Sequence, residues 1–255
     1  MTKTINNAQF SKIKEGNVTC FYNQKLITDF SADMLSPTYW QQKKAITGSA
    51  QGRGTTWFLA YNDNSNTQHN WVLRHYYRGG LIGKIIKDSY WFNGLENTRA
   101  ACEFSLLRHM QTIQLPAPEP IAYRIIQQDF YYKADLLSSR IQQAQDLVAI
   151  LSEKALEDDV WKSIGATIKR FHYHGIYHHD LNSHNILLND KNEVFLIDFD
   201  RGELRTNPVN TRWKRDNMAR LQRSFLKERN KLPQFNFTDE NWHTLLNSYF
   251  NFKPE

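Results

Sequence analysis

Cysteine is scarce: the chain has two, Cys20 and Cys102, far apart in sequence, which excludes a disulfide framework or a cysteine-built metal centre. Long apolar runs are missing as well; none approaches the roughly 18 consecutive residues of a membrane-spanning helix. The opening segment MTKTINNAQFSKIKEGN lacks the apolar stretch of a secretory signal. A reduced, cytoplasmic setting fits these absences. There is no internal repeat, low-complexity tract or Pro/Gly/Ser-rich linker, so repeat architectures drop out. Acidic residues are outnumbered, 26 Asp and Glu against 32 Lys and Arg, giving a net charge of +6. That balance favours anionic partners such as nucleotides, phosphorylated lipids, membrane surfaces or nucleic acid, without choosing among them. What is abundant is aromatic: fifteen Phe, twelve Tyr and seven Trp in 255 residues. A well-packed core follows, in one large domain or two small lobes.

The first half of the chain reads as strands with turns. Thr55–Tyr61 and Trp71–Tyr77 are β-rich runs separated by a cluster of Asn, Asp and Ser. Apolar residues at three- and four-residue spacing predict a helix over Asn97–Met110, stopped by the prolines of LPAPEP. IAYRII and DFYYKADLL read as two more strands, Gln142–Leu151 and Leu156–His174 as helices. Strands first and helices later predict an α+β plan, with lobes of about 1–138 and 139–255 within one domain spanning 1–255.

The chemistry concentrates in His178-His179-Asp180-Leu181-Asn182-Ser183-His184-Asn185, followed thirteen residues later by Asp198-Phe199-Asp200. Between them a polar turn, 189–192, separates two apolar runs, so Ile186–Leu188 and Val194–Ile197 are expected to pair as a hairpin. The hairpin would carry Asp180 and Asn185 at its entrance and Asp198 at its exit. Phosphoryl transfer needs such a set, because its transition state spreads negative charge and is stabilised by positioning and electrostatics. Asp180 would orient an acceptor hydroxyl and take its proton. Asn185 and Asp198 would hold magnesium against nucleotide phosphates, since that ion prefers hard oxygen ligands and keeps several waters. The blander readings are a turn-capping Asp180, a turn Asn185 and a surface Asp198. His172, His174, His179 and His184 resemble a metal cluster but lack the paired spacing of zinc sites.

The pattern H-x-D-L-x-x-x-N, then D-F-x, resembles the protein-kinase catalytic loop and metal-binding triplet. The resemblance implies a bilobal protein-kinase-like fold, with a β-rich N-lobe, a mainly helical C-lobe with a short C-terminal region, and ATP as the phosphate donor. It also implies a supporting rather than reactive role for His178. Upstream, Gly48-Ser49-Ala50-Gln51-Gly52-Arg53-Gly54 precedes a strand. Gly52 and Gly54 there could bring backbone N–H groups to phosphate, though an ordinary turn reads the same way. Arg74 stands where kinases carry a strand lysine, and a bidentate guanidinium differs from a point-charge ammonium; Lys84 is the alternative cation. Glu103 is the expected acidic partner on the following helix, with Glu96 as alternative, and Cys102 is read as packing. No A-P-E triplet follows Asp200, and D-L-N-S-H-N is nearer to small-molecule kinases than to protein kinases.

Beyond Asp200 the pattern predicts a helix over Arg212–Lys227. Arg212, Arg220, Arg223 and Lys227 would share one face, opposite Met218, Leu221 and Phe225, at ~3.6 residues per turn. A basic face suits an acceptor bearing phosphates or carboxylates, or an anionic membrane surface. Aromatic platforms and nucleic-acid reading motifs are lacking, so no nucleic-acid partner is expected.

Over most of its length, through VLRHYYRGGLIGK, TRAACEFSLLRHM, LPAPEPIAYR, YYKADLLSSRI, HHDLNSHNILL and LIDFDRGELR, the chain resembles the lipopolysaccharide kinase family. Within it the likeness is to the enzymes acting on 3-deoxy-D-manno-octulosonic acid (Kdo). The resemblance implies transfer of the ATP γ-phosphate to a hydroxyl, taken as the 4-hydroxyl, of the Kdo sugar on a Kdo-lipid A precursor. It further implies a peripheral protein on the cytoplasmic face of the inner membrane. Another sugar hydroxyl, such as that of a core heptose, is the competing acceptor; a non-catalytic scaffold is the competing class.

Overall fold

The computed structural model describes residues 9–51, 54–63, 66–77, 88–207 and 211–253. The expected Gly52 and Lys84 lie outside them. The chain divides into two compact units, Met1–Arg108 with Glu119–Arg140, and His109–Pro118 with Ile141–Glu255.

The first unit is built on an antiparallel sheet. Its strands are β1 (Phe10–Glu15), β2 (Val18–Asn23), β3 (Ile46–Gln51), β4 (Thr55–Asn62), β5 (Gln68–His75), β6 (Tyr90–Trp91), β7 (Pro120–Gln128) and β8 (Tyr131–Ser139). They lie in the order β1-β2-β7-β8-β5-β4-β3, with β6 also paired to β8. Alternation along β5 sends Trp71 and Leu73 into a core with Trp40, Leu59, Ile121 and Leu137, while Val72 and Arg74 take the other side. A short helix, α1 (Pro37–Gln42), starts on a proline at its first position, where the missing N–H costs nothing. Helix α2 (Arg99–Thr112), whose residues from His109 on are counted with the second unit, buries Phe104, Leu107 and Met110. The Phe104 ring packs edge-on against Phe10, Phe21 and Tyr123. The β1–β2 hairpin, α1 and β3 add structure that the strand-and-turn reading does not foresee. Cys102 corrects another expectation. It is exposed, off the buried face of α2, its thiol donating to the Glu96 carbonyl at 3.2 Å.

The second unit is mainly helical. It holds β9 (Ala144–Asp146), α3 (Leu147–Glu153), α4 (Asp158–Tyr173), β10 (Ile176–Tyr177), β11 (Ile186–Asn189), β12 (Val194–Leu196), β13 (Glu203–Leu204), α5 (Arg212–Lys231) and α6 (Asp239–Asn251). The helix expected over 142–151 begins late, because Asp146 caps it: its carboxylate accepts from Val148 and Ala149 N–H at 3.0 and 3.2 Å. The residues just before the cap become β9, which pairs with β11. Residues 109–118 belong to this unit and are tied to it by hydrogen bonds to their carbonyls. The Leu196 N–H donates to the Pro116 carbonyl at 3.0 Å, and Arg170 to the Gln114 carbonyl at 3.1 Å. Helix α6 approaches α4 so closely at Gly165 that a Cβ there would collide with the Leu245 carbonyl oxygen. Trp161, Ile164, Phe171, Phe225 and Leu245 fill the core between the helices.

Candidate active site

In the second unit the polar loop is fixed from both ends. Strands β11 and β12 pair in register Ile186↔Leu196 and Leu188↔Val194, with Ile186, Leu188, Val194 and Leu196 buried. One step beyond the ladder, Ile197 N–H donates to the Asn185 carbonyl at 3.0 Å, so Asp198 leaves the hairpin beside the residue that enters it. Asp198 has φ of 61°, a left-handed conformation that an L-residue keeps only where its surroundings hold it. Phe199 supplies that hold. It is fully buried, stacked on Phe171 at 5.7 Å and packed on the His178 ring at 4.8 Å.

His178 joins the two sides. Its Nδ1 accepts from Asp180 N–H at 3.2 Å, and its Nε2–H donates to the Ile197 carbonyl at 2.9 Å. Those bonds require the neutral ring with its proton on Nε2. Burial pushes its pKa below the usual histidine value, against the hydrogen bond to Ile197 and the nearby charges of Asp198 and Asp180. Asn182 caps the short turn Ser183–Asn185, its Oδ1 accepting from His184 and Asn185 N–H at 2.9 and 3.1 Å. The Asn185 amide donates through Nδ2 to the Asp180 carbonyl at 2.9 Å. That bond fixes which way the amide is turned and leaves Oδ1 as a hard acceptor.

Helix α5 is tied to this loop by side chains spaced along one edge. Asn217 Nδ2 donates to the His178 carbonyl at 2.9 Å, and Ser224 Oγ meets Ser183 Oγ at 2.8 Å. Between them Arg220 reaches Asp180, Nη1 to Oδ1 at 3.6 Å, with 45% and 48% of the two side chains exposed. The helix extends over the expected Arg212–Lys227 and beyond, with Met218, Leu221 and Phe225 buried and Arg212, Arg223 and Lys227 exposed. Asp216 interrupts the basic face, 3.8 Å from Arg212.

The histidines do not form a metal cluster. His172 is buried against Tyr249 OH at 2.8 Å. His184 lies 3.3 Å from Asp146 and 3.7 Å from Glu228, and the hydrogen bond to Asp146 raises its pKa. Among the described residues no three His, Cys, Asp or Glu side chains are grouped to hold a metal ion. Asn185 and Asp198 together offer an amide oxygen and a carboxylate, a donor set that suits magnesium, which needs only one or two protein ligands when phosphates complete its shell.

In the first unit Arg74 and Glu103 meet. Arg74 Nη2 donates to both Glu103 oxygens, at 2.6 and 2.5 Å, and Tyr76 OH donates to the same carboxylate at 2.6 Å. Glu103 is 3% exposed. Glu96, the alternative, is exposed in a 3-10 turn, Leu95–Asn97. Gly54 has a packing reason for lacking a side chain, since a Cβ there would collide with the Tyr77 ring. A cavity of about 480 Å³ in this unit, lined by Lys12, Lys14, Phe92 and Ile125 among others, contains none of the expected site residues. Sequence reasoning does not single out Asn182, Asn217 or Ser224. The signal for the last two was the seven-residue step that brackets Arg220 on α5.

An α+β chain with a β-rich unit carrying a partly buried Arg–Glu pair, and a helical unit presenting Asp180, Asn185 and Asp198 around one hairpin, is a phosphotransferase of the protein-kinase-like class. Residues 37–249 match the family described as lipopolysaccharide kinase (Kdo/WaaP), and the chain belongs to that family. It is 44% identical over 225 residues to a 3-deoxy-D-manno-octulosonic acid kinase of Photobacterium damsela subsp. piscicida, covering 88% of this chain and 90% of that one. With the enzyme of the same name from Mannheimia succiniciproducens it shares 47% identity over 218 residues, 84% and 88% of the two chains. The Vibrio cholerae protein so named is 41% identical over 228 residues, 89% and 90%.

Proposed function

We propose that this protein transfers the γ-phosphate of ATP to a hydroxyl, the 4-hydroxyl, of the Kdo sugar on a Kdo-lipid A precursor during lipopolysaccharide core biosynthesis. The observation that carries the reading is the loop in which His178 ties Asp180 to the strand end bearing Asp198 while Asn185 is locked against the Asp180 main chain. Family membership and the names of the relatives supply the acceptor.

In this reading Asp180 accepts the proton of the acceptor hydroxyl as its oxygen bonds to the γ-phosphorus and the bridging bond to ADP breaks. Asn185 Oδ1 and the Asp198 carboxylate would hold Mg²⁺, which when bound would neutralise charge on the phosphates. Arg74, pre-oriented by Glu103, contributes a guanidinium to the nucleotide phosphates, and Gly52, Gly54 and Lys84 are assigned to the same nucleotide. The net charge of +6 and the exposed basic side of α5 favour an anionic bilayer surface. No helix among the described residues is long and apolar enough to cross a membrane. Peripheral attachment to the cytoplasmic face of the inner membrane accommodates both.

Incubating the protein with labelled ATP, magnesium and Kdo-bearing lipid A precursor tests the proposal. Label on the Kdo sugar is the expected result. Label on a heptose-bearing acceptor but not on Kdo would reassign the substrate, and no label on any acceptor would remove the catalytic reading.

A further inference from the structure

Arg220 is placed with more care than a surface arginine needs. Its neighbours on α5, Asn217 and Ser224, bond to His178 and Ser183 of the catalytic loop, so the Arg220 backbone is held in register with Asp180. Yet the pair it makes is loose: 3.6 Å, monodentate in Asp180 Oδ1, and about half exposed on both sides. Among the described residues no other ion pair engages Arg220. Loose, exposed pairs contribute little to stability, whereas a guanidinium fork is well matched to a second carboxylate. Burial lowers the pKa of the adjacent His179, and the charges of Arg201 and Arg220 lower it further, against Asp180 and Glu203.

We propose that Arg220 binds the carboxylate of the acceptor sugar, leaving Asp180 to do so, and thereby selects a sugar acid as substrate. This rests on the reading of Asp180 as the base that meets the acceptor hydroxyl. An anion held by Arg220 must then sit within about one sugar ring of the reacting oxygen. A carboxylate on the phosphorylated sugar meets that condition; phosphates on the lipid part, at least one sugar further away, do not. The ion pair with Asp180 stands in for the acceptor carboxylate until the acceptor arrives. Exchange of one carboxylate for another keeps the guanidinium paired throughout, and it frees the base only when the right anion is present.

The test uses the full chain with three acceptors: the Kdo-lipid A precursor, the same molecule with the sugar carboxyl converted to a neutral amide, and one with the carboxyl intact but the lipid phosphates removed. In the wild type, amidation should lower kcat/KM roughly 10- to 100-fold, the range for loss of a charged hydrogen bond. Arg220→Gln should lower kcat/KM on the acid by a similar factor and show no further loss on the amide. Arg220→Lys should recover part of the discrimination, and the KM for ATP should stay unchanged in both variants. The Arg220→Gln effect should persist on the acceptor lacking phosphates. An Arg220→Gln protein that discriminates acid from amide as strongly as the wild type would overturn the inference. So would equal losses on both acceptors, or an effect that vanishes with the phosphates. A wild type inert toward all three would instead overturn the Kdo reading, and this inference with it.

Discussion

The two units hold their key carboxylates in opposite ways. Glu103 in the first is buried, gripped through both oxygens by Arg74 and capped by Tyr76. Asp180 in the second is half exposed and touched at 3.6 Å by a single arginine nitrogen. A buried carboxylate with three short hydrogen bonds is a fixed structural part, because removing any partner strands a charge away from water. A half-exposed one with a loose partner can exchange that partner for a substrate at little cost. In the proposed mechanism the first arrangement aims a cation, while the second keeps a base available.

Substitutions separate these roles, and the largest effect falls on Asp180. Asp180→Ala should lower kcat by at least about 10²-fold through loss of the general base. Its urea midpoint should move little, since the side chain is half exposed. Steady-state kinetics beside an unfolding curve read both quantities. A stability loss matching the activity loss would erase the distinction between the units. Next comes Arg74→Ala, which removes two of the short hydrogen bonds that hold the buried Glu103 carboxylate and should destabilise the fold by about 3 kcal/mol, read from chemical denaturation.

A smaller, pH-dependent effect belongs to the core of the second unit. Burial lowers the His172 pKa from 6.5 to about 3, so below pH 6.5 the unfolded chain takes up a proton that the folded one refuses. Stability from this residue is present above the unfolded value and lost as pH falls toward 3, at up to about 1.4 kcal/mol per pH unit. A His172→Gln protein should show a flatter dependence of unfolding free energy between pH 6 and pH 4. The smallest effect is Arg220→Ala on stability, expected within about 0.5 kcal/mol by the same denaturation measurement. A cost as large as that of Arg74→Ala would make Arg220 a structural residue and dissolve the contrast.

Much of this was legible from residue order. Local signals carried the hairpin of β11 and β12, because a polar turn between apolar runs specifies pairing without help from distant segments. Arg74 and Glu103 were readable for a different reason: the resemblance to the kinase strand lysine and its helix glutamate marks those two positions. What escaped depends on tertiary context. Residues 10–15 alternate weakly and are mostly polar, so β1 declares itself only by pairing with β2. The helical pattern over 142–151 starts ahead of α3 because Asp146 serves as a cap, while the residues before it join β11. Helix α6 follows a Thr238–Asn241 capping box, a local signal present in the sequence. The Arg220–Asp180 contact joins residues forty positions apart, and only the anchors at 217 and 224 bring them into reach.

The most direct test of the account is the mass of the Kdo–lipid A region from cells carrying the wild-type protein, no protein, or the Asp180→Ala variant. The account predicts one added phosphate on the Kdo sugar in the first case and none in the other two. A phosphorylated Kdo made by the Asp180→Ala cells, or absent from all three, would contradict it.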